Sequence, residues 1–251
     1  MRLDPPGYAP GAVEKVIWLL RGHGRASVDV VDAVRDLALE PSVLGFSVNQ
    51  HDDAAAEAPS PAPGPDDEAT HVAQISAWFR NYQERGVVEE AVAGLGLHAD
   101  SYLVVESLVD DYGSTPHAEP RDWPDGERSP GVLTVAVIHR PESLNEATWL
   151  HNWHEVQSPM SGELQPRTRY VRNQIVRALS PQAPDIGGIV EEGWPSALHV
   201  ADPMLFFNAG GDPEVMNRNV ETMLGNVIAC LDMDKLRSTT MSEYLLKSLG
   251  G

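Results

Sequence analysis

The stretch Leu44–Gln50 reads LGFSVNQ, and its last five residues, FSVNQ, are similar to YVRNQ at Tyr170–Gln174. In Leu44–Gln50 the apolar residues alternate with smaller or polar ones, which is typical of a β-strand with one buried face. Asn49 and Asn173 lie 124 positions apart. Recurrence at such a distance predicts two similar halves, each built around a strand of this kind.

Both halves show the same order of elements on either side of these two strands. Period-two apolar patterns predict strands, and apolar residues three or four apart predict helices. The predicted strands are 13–20, 44–50, 71–78 and 102–108, then 132–139, 169–176, 186–194 and 241–249. The predicted helices are 28–39 and 87–95, then 144–164 and 213–224. The sequence therefore predicts an α+β fold of two tandem ferredoxin-like (βαββαβ) repeats, of the dimeric α/β-barrel type.

Two segments without apolar periodicity interrupt this pattern. Residues 52–68 (DDAAAEAPSPAPGPDDE) are too poor in apolar side chains to offset their ordering entropy, which predicts an exposed, mobile loop. The region 110–130 is rich in Pro, Gly, Asp and Ser, as domain boundaries are. We therefore expect an N-terminal repeat at 1–115, a linker at 116–130 and a C-terminal repeat at 131–251.

Charge and cysteine content exclude several classes of function. Eighteen basic residues against 37 acidic ones give a net charge of −19, which repels phosphate backbones and anionic lipids. We therefore expect neither a nucleic-acid nor a membrane partner. Cys230 is the only cysteine, so no internal disulfide can form, and a cytoplasmic location is predicted. The first ten residues lack the regions of a signal peptide.

The stretch 140–196 resembles the EthD domain of the dimeric α/β-barrel superfamily. The features that carry the resemblance run from a strand-ending Arg-Pro, through an aromatic helix, to a Tyr-x-x-Asn strand and a third strand. They are Arg140-Pro141, then Trp149, Trp153 and Pro159, then Tyr170 and Asn173, then Glu191 to Trp194. Family members usually have a histidine four residues after the helix tryptophan, whereas this chain has Gln157. An amide does not titrate near neutral pH, so Gln157 cannot take over proton transfer from that histidine.

The resemblance implies that the sheets of the two repeats face each other and form a barrel with a ligand pocket. It also implies a small ligand, often aromatic or ether-derived, as in EthD family members. The wider superfamily includes cyclases, isomerases, dehydratases and cofactor-free monooxygenases. We therefore expect a small-molecule ligand or substrate, no cofactor and a possible homodimer.

The helix around Trp149 to Gln157 carries one group of candidate binding residues. Trp153, His154 and Gln157 are predicted to contact the substrate, although the tryptophans also suit a core and the histidines a solvated face. His151 and His154 share a helix face at i, i+3. This spacing differs from the His-Glu-x-x-His pattern of metalloproteases, and no third ligand is evident, so no metal is predicted.

The predicted strands supply the other candidates. Tyr170 and Asn173 are three apart on one strand, so their side chains should point to opposite faces. Glu191 and Glu192 are adjacent, so one should face the barrel, where desolvation raises the pKa of a carboxyl group towards the range of a general acid or base. The predicted catalytic residues are Glu191, Glu192, His139 and Tyr170. Asn173 and Trp194 join the predicted substrate-binding residues.

Two functions are compatible with these patterns. The first is a cofactor-independent enzyme of secondary or xenobiotic metabolism that isomerises, cyclises or dehydrates a small organic molecule by proton transfer. The second is a non-catalytic ligand-binding or assembly protein of the same fold, which Gln157 favours. Neither a phosphate-binding glycine loop nor a serine-hydrolase motif is present.

Overall fold

A computed structural model of the chain describes residues 13–23, 28–65 and 68–249. The strands are β1 (Glu14–Gly22), β2 (Gly45–Gln50), β3 (Thr70–Phe79), β4 (His98–Asp110), β5 (Val132–Ile138), β6 (Arg169–Ala178), β7 (Gly188–Trp194) and β8 (Arg237–Lys247). The α-helices are α1 (Val30–Val34), α2 (Gly86–Gly94), α3 (Glu146–His151), α4 (Ser158–Leu164), α5 (Ala197–Ala201), α6 (Pro203–Phe206) and α7 (Pro213–Ile228). Short 3₁₀ turns follow α1 and precede α2, and a π-helical turn, Asn152–Gln157, joins α3 to α4.

The eight predicted strands and four predicted helices are confirmed, with shifts of a few residues at their ends. Local chemistry explains the helix ends. The side chains of Asp29, Asn145 and Asp212 accept hydrogen bonds from the first backbone N–H groups of α1, α3 and α7. Pro213 stands in the first turn of α7, where a missing N–H costs nothing.

The predicted fold class is wrong because it divides the eight strands between two sheets. The eight strands form one closed antiparallel barrel in the order β1-β3-β2-β8-β5-β7-β6-β4, and not two separate ferredoxin-like sheets. The barrel closes because strands of the two halves pair with each other at two places, β2 with β8 and β4 with β6. The alternation of apolar and polar residues along a strand shows which side chains share a face of the sheet. It does not show which other strand will pair with its backbone, because backbone hydrogen bonds do not depend on the side chains.

Three apolar clusters fill the layers of this barrel. One lies between the sheet of the first half and helices α1 and α2, and includes Trp18, Phe46 and Phe79. A second lies inside the barrel and includes Ile17, Tyr102 and Leu133. The third lies between the second half of the sheet and the helices that cover it, and contains both Trp149 and Trp153.

Strand β8 has two different neighbours along each of its edges. Its first part pairs with β5 on one side, while the chain around Ala62 bonds the other side through Ser238 N–H and Ala62 O, 2.7 Å apart. Its last part pairs with β2, while Gly126 and Ser129 donate from the opposite side to the carbonyl groups of Leu245 and Glu243. Residues 59–62 and 126–129 thus complete the edges that the regular strands leave open.

The expectation of a mobile loop at 52–68 is wrong for the described residues 52–65, which we call the strap. Ala55 and Ala58 are buried, and Thr240 bonds both Pro59 and Ser60. The Asp52 carboxylate accepts hydrogen bonds from Ser242 Oγ at 2.7 Å and Tyr244 OH at 2.9 Å. Small apolar side chains and one well-placed carboxylate suffice to hold the strap in place, because the first part of β8 has an edge that no other strand pairs with. Composition alone carries no information about such an edge.

Replacing Asp52 by alanine should lower the free energy of unfolding at pH 7 by about 1–3 kcal/mol, because Ser242 Oγ, Tyr244 OH and Ala55 N lose a charged acceptor. Burial opposes ionisation, but these hydrogen bonds lower the pKa of Asp52. Its contribution is therefore complete above the ordinary aspartate range and disappears as the pH falls through the lowered pKa. Urea titrations at pH 7 and pH 3 measure the effect. The exposed Glu57→Gln serves as a control, and equal loss at both pH values would contradict this assignment.

Among the described residues, no helix combines the length and the apolarity that crossing a membrane requires.

Candidate functional site

The two adjacent glutamates of β7 face opposite sides of the barrel wall. Glu191 points inwards and is buried. Its Oε1 accepts hydrogen bonds from Lys15 Nζ at 3.1 Å, Gln74 Nε2 at 3.0 Å and Asn173 Nδ2 at 2.9 Å. Arg169 NH1 lies 3.6 Å from the other carboxylate oxygen. Glu191 is therefore a fully paired charge inside the protein.

The expectation that the barrel interior raises the pKa of the inward glutamate is wrong. Burial acts in that direction, but the charges of Lys15 and Arg169 and the hydrogen bonds from Gln74 and Lys15 outweigh it, and they lower the pKa of Glu191 to about 2. A carboxylate with this pKa stays ionised at neutral pH and is a weak base. The arrangement suits a structural ion pair better than a proton carrier.

Glu191 belongs to a charged layer that crosses one end of the barrel and consists of Lys15, Glu106, Arg169, Glu191 and Glu243. Lys15 Nζ bridges Glu191 and Glu106, the latter at 2.8 Å. Arg169 lies between Glu191 and Glu243, with 2.7 Å from its NH1 to Glu243 Oε1. Outside this layer, Trp78 Nε1 donates to Glu106 and Tyr112 OH to Glu243. These bonds close this end of the barrel with polar side chains.

A cavity of about 300 Å³ lies on the other side of the wall, between the sheet of the second half and its helices. We call it the sheet–helix cavity. The sheet contributes Thr134, Ala136, Ile138, Tyr170, Val190 and Glu192, the helices contribute Trp153, Gln157, Ser161, Phe206, Phe207, Met223, Leu224 and Val227, and the strap contributes Pro61 and Ala62. Small-molecule sites typically enclose roughly 300–1,000 Å³, are mostly apolar and hold a few convergent polar groups. This cavity meets that description at its lower limit.

The π-helical turn sets the shape of one cavity wall. Pro159 has no N–H for a helical bond, and the carbonyl of His154, five residues earlier, accepts from Arg172 NH1 at 3.1 Å instead, while Ser158 Oγ donates to the carbonyl of Trp153 at 2.8 Å. The widened turn brings both Trp153 and Gln157 to the cavity. Gly188 makes room on the sheet, because a Cβ there would lie 2.6 Å from the Trp153 ring.

Glu192 is the only carboxyl group among the described residues that line the cavity. Burial raises its pKa, although Arg167 and a hydrogen bond with Thr134 oppose the shift. The nearest Arg167 nitrogen is 3.6 Å away, which is an ion-pair distance but too long for a hydrogen bond. A carboxyl group with a raised pKa beside a cavity combines the two properties of a general acid or base.

Tyr170 lies next to Glu192 on the neighbouring strand and lines the same cavity. Its hydroxyl is 3.1 Å from Ser158 Oγ. The single Ser158 proton is used in the bond to Trp153 O, so the Tyr170 hydroxyl is the donor to Ser158. Burial and the charge of Glu192 raise the pKa of Tyr170. The phenol therefore stays protonated, and its proton points away from a ligand.

Gln157 offers an unused acceptor at the cavity. Its Nε2 donates to Met223 Sδ at 3.2 Å, while its Oε1 is buried without a hydrogen-bond partner in the described part of the chain. A buried polar atom without a partner is unfavourable by about 1–3 kcal/mol. A ligand hydroxyl in the cavity would supply the missing donor.

The structure separates the remaining predicted site residues from this cavity. Asn173 lies inside the barrel on Glu191, opposite to Tyr170, as strand alternation predicts. His139 lies near the open end of the barrel. The His154 ring packs against Trp153 at an interplanar angle of 57° without lining the cavity, and Trp194 stacks on Phe206 behind it. Glu192, Tyr170, Trp153 and Gln157 are thus brought together, whereas His139 cannot partner either glutamate from that position.

Several cavity residues were not predicted from the sequence. Phe206 and Phe207 lie in 197–211, where apolar spacing and turn residues conflict, although a paired aromatic in such a segment is itself a signal. Arg167 is buried beneath Tyr170, with its guanidinium carbon 3.8 Å from the ring centre, and bonds Ser161 and Asp110. No local pattern marks a buried arginine of this kind. Within the described residues, no three His, Cys, Asp or Glu side chains form a group that could hold a metal ion.

Comparison with known proteins supports the fold and goes no further. A solved anthrone oxidase-like protein superposes with a TM-score of 0.53 and 10% identity, over 94% of this chain and 94% of its own. A solved mutant chlorite dismutase from Candidatus Nitrospira defluvii gives a TM-score of 0.45 at 10% identity, over 95% and 94%. No family model and no curated protein matches the sequence. The resemblance to EthD domains therefore stays a prediction.

Proposed function

We propose that the protein is a small-molecule enzyme that binds a largely aromatic organic compound in the sheet–helix cavity and moves a proton within it. The observation that carries the proposal is the position of Glu192, a carboxyl group with a raised pKa on the wall of a mostly apolar cavity. The rings of Trp153, Phe206 and Phe207 suit a flat aromatic ligand. The described lining contains no second carboxyl group to compete for the role.

The proposed reaction is an isomerisation. The Glu192 carboxylate removes a proton from a ligand carbon that lies between a carbonyl group and a carbon–carbon double bond, and the bonding electrons move to the carbonyl oxygen to give a dienolate. The same carboxyl group then returns the proton to another carbon of the molecule, so neither an oxidant nor a reductant is consumed. Arg167, 3.6 Å away, holds the carboxylate in place, while Gln157 Oε1 accepts a hydrogen bond from a ligand hydroxyl.

A search for a copurified molecule by native mass spectrometry, followed by titration with 2-naphthol, tests whether the cavity binds ligands. Quenching of tryptophan fluorescence reports binding next to Trp153. Ala136→Leu adds volume inside the cavity and should weaken 2-naphthol binding by about tenfold or more, equivalent to about 1.4 kcal/mol. Ala147→Leu, on the exposed face of α3, is the matched control and should bind like the wild type.

The acceptor role of Gln157 gives a second comparison in the same assay. The wild type should prefer 2-naphthol, which has a hydroxyl group, over naphthalene, and Gln157→Leu should reduce that preference by removing Oε1. The proposal would be contradicted by the absence of both a copurified molecule and saturable 2-naphthol binding.

The second function, a non-catalytic binding protein, is favoured by one specific observation. Tyr170 directs its proton to Ser158 and Gln157 cannot titrate, so catalysis depends on Glu192 alone. The non-catalytic function would be favoured if Glu192→Gln bound the cavity ligand as the wild type does and the wild type did not turn it over. A homodimer and a cytoplasmic location stay predictions under either function.

A further inference from the structure

The barrel has a second pocket, at the end opposite to the charged layer. This barrel-mouth pocket, of about 230 Å³, has apolar side chains of the barrel interior as its floor, among them Leu19, Val137 and Ile186. Its rim is polar and comprises Arg21, Glu68, His71, Asp100, His139, Lys235 and Arg237. The barrel wall separates the pocket from the sheet–helix cavity. An apolar floor under a polar rim suits an amphipathic small molecule.

Among the described residues, those of the rim include more cations than anions, although the whole chain has a net charge of −19. Three of its residues are arginine or lysine and two are aspartate or glutamate. Arg21 pairs with the buried Asp100 at 2.8 Å, and Arg237 pairs with the half-exposed Glu68 at 3.0 Å. The third cation, Lys235, bonds Asp232 outside the pocket. Each of the three cations therefore has a carboxylate partner, and an anionic ligand can bind at the rim by taking the place of an exposed partner.

His71 adds a polar side chain whose ring has no hydrogen-bond partner. The residue lies beside Arg21 on the neighbouring strand, and its ring bonds no residue in the described ranges. Burial and the charge of Arg21 lower its pKa to about 4, so the ring is neutral at pH 7 and carries one N–H donor and one acceptor. Arg21 Nε is likewise buried without a partner among the described residues. Both groups have hydrogen-bonding capacity that the fold leaves unused.

We infer that the barrel-mouth pocket binds a small organic carboxylate, with its apolar part against Leu19, Val137 and Ile186 and its carboxylate at Arg237 and His71. The site is separate from the sheet–helix cavity and does not depend on the proposed reaction there. Charge-assisted hydrogen bonds from a guanidinium group and a ring N–H are the usual means of holding a carboxylate. Arg237 suits the role because its carboxylate partner, Glu68, is half exposed and a ligand carboxylate would take its place, while Arg237 NH1 stays bonded to the carbonyl groups of Asp234 and Leu236.

Isothermal titration calorimetry of the full-length protein with hexanoate tests this inference, with hexan-1-ol as the uncharged comparison. The wild type should bind hexanoate saturably and at least about tenfold more tightly than hexan-1-ol, the factor that one charged contact of about 1.4 kcal/mol gives. Arg237→Gln and His71→Leu should each weaken hexanoate binding several-fold while leaving hexan-1-ol binding unchanged. The ring signals of His71 should shift in nuclear magnetic resonance spectra on titration with hexanoate.

Two control variants separate this site from other effects. Arg121→Gln removes an arginine of the 116–130 segment that bonds Asp125 and Ser248, away from the pocket, and should leave hexanoate binding unchanged. Glu192→Gln should also leave it unchanged, so this result is independent of the proposed reaction. Absence of saturable binding, equal affinity for hexanoate and hexan-1-ol, or unchanged binding in both Arg237→Gln and His71→Leu would overturn the inference.

Discussion

Replacement of Lys15 by methionine is expected to destabilise the protein by about 3–5 kcal/mol, because it leaves buried Glu191 with an uncompensated charge. Lys15 Nζ bonds both Glu191 and Glu106, and without it the only cation near Glu191 among the described residues is Arg169 at 3.6 Å, which also pairs with Glu243. Such a loss is a large part of the stability of an ordinary domain. Urea unfolding at pH 7, followed by circular dichroism, measures the change.

A second variant keeps this prediction testable if Lys15→Met folds poorly. Adding Glu191→Gln to Lys15→Met removes the unpaired charge and should recover part of the lost stability, and a double-mutant cycle then gives the coupling between the two residues. Lys235→Met, at an exposed salt bridge with Asp232, should change the unfolding midpoint very little. Similar midpoints for Lys15→Met and Lys235→Met would show that the charged layer contributes little.

Replacement of Glu192 by glutamine is expected to lower the turnover of the cavity ligand by about 10²–10⁴, the usual contribution of a positioned acid or base. Glutamine keeps the shape of the side chain but cannot accept the proton. Arg167 loses Glu192 as a charged partner but keeps Asp110 at 3.3 Å, so the fold should be unaffected. Steady-state rates with the molecule identified by mass spectrometry, together with its dissociation constant, separate catalysis from binding.

The pH dependence of that reaction gives an independent readout. A general base must be ionised, so the wild-type rate should fall as the pH drops through the pKa of Glu192, which burial raises above the ordinary glutamate value of 4.5. The residual rate of Glu192→Gln should lack this acidic limb. Glu155→Gln, an exposed glutamate of the π-helical turn, is the matched control and should keep both rate and limb. An unchanged rate in Glu192→Gln would end the catalytic proposal.

The sequence by itself determined the secondary structure and the face of the sheet to which individual strand side chains point. Alternation on β6 placed Tyr170 and Asn173 on opposite sides, and adjacency on β7 did the same for Glu191 and Glu192. These properties are local, because the direction of a side chain follows from the two-residue period of the strand. Helix caps such as Asn145 are equally local, since donor and acceptor lie within one turn.

Only the tertiary structure decided which residues contact each face of the sheet. Glu191 was expected to have a raised pKa inside the barrel, but Lys15, 176 positions earlier in the chain, reverses the shift. The strap was expected to be mobile, but β8 offers it an open edge some 180 positions away. Electrostatic and hydrogen-bonding partners act through space and leave no mark on local periodicity. The single closed barrel, the ionised Glu191 and the position of Glu192 at a cavity therefore all depend on the pairing of distant strands.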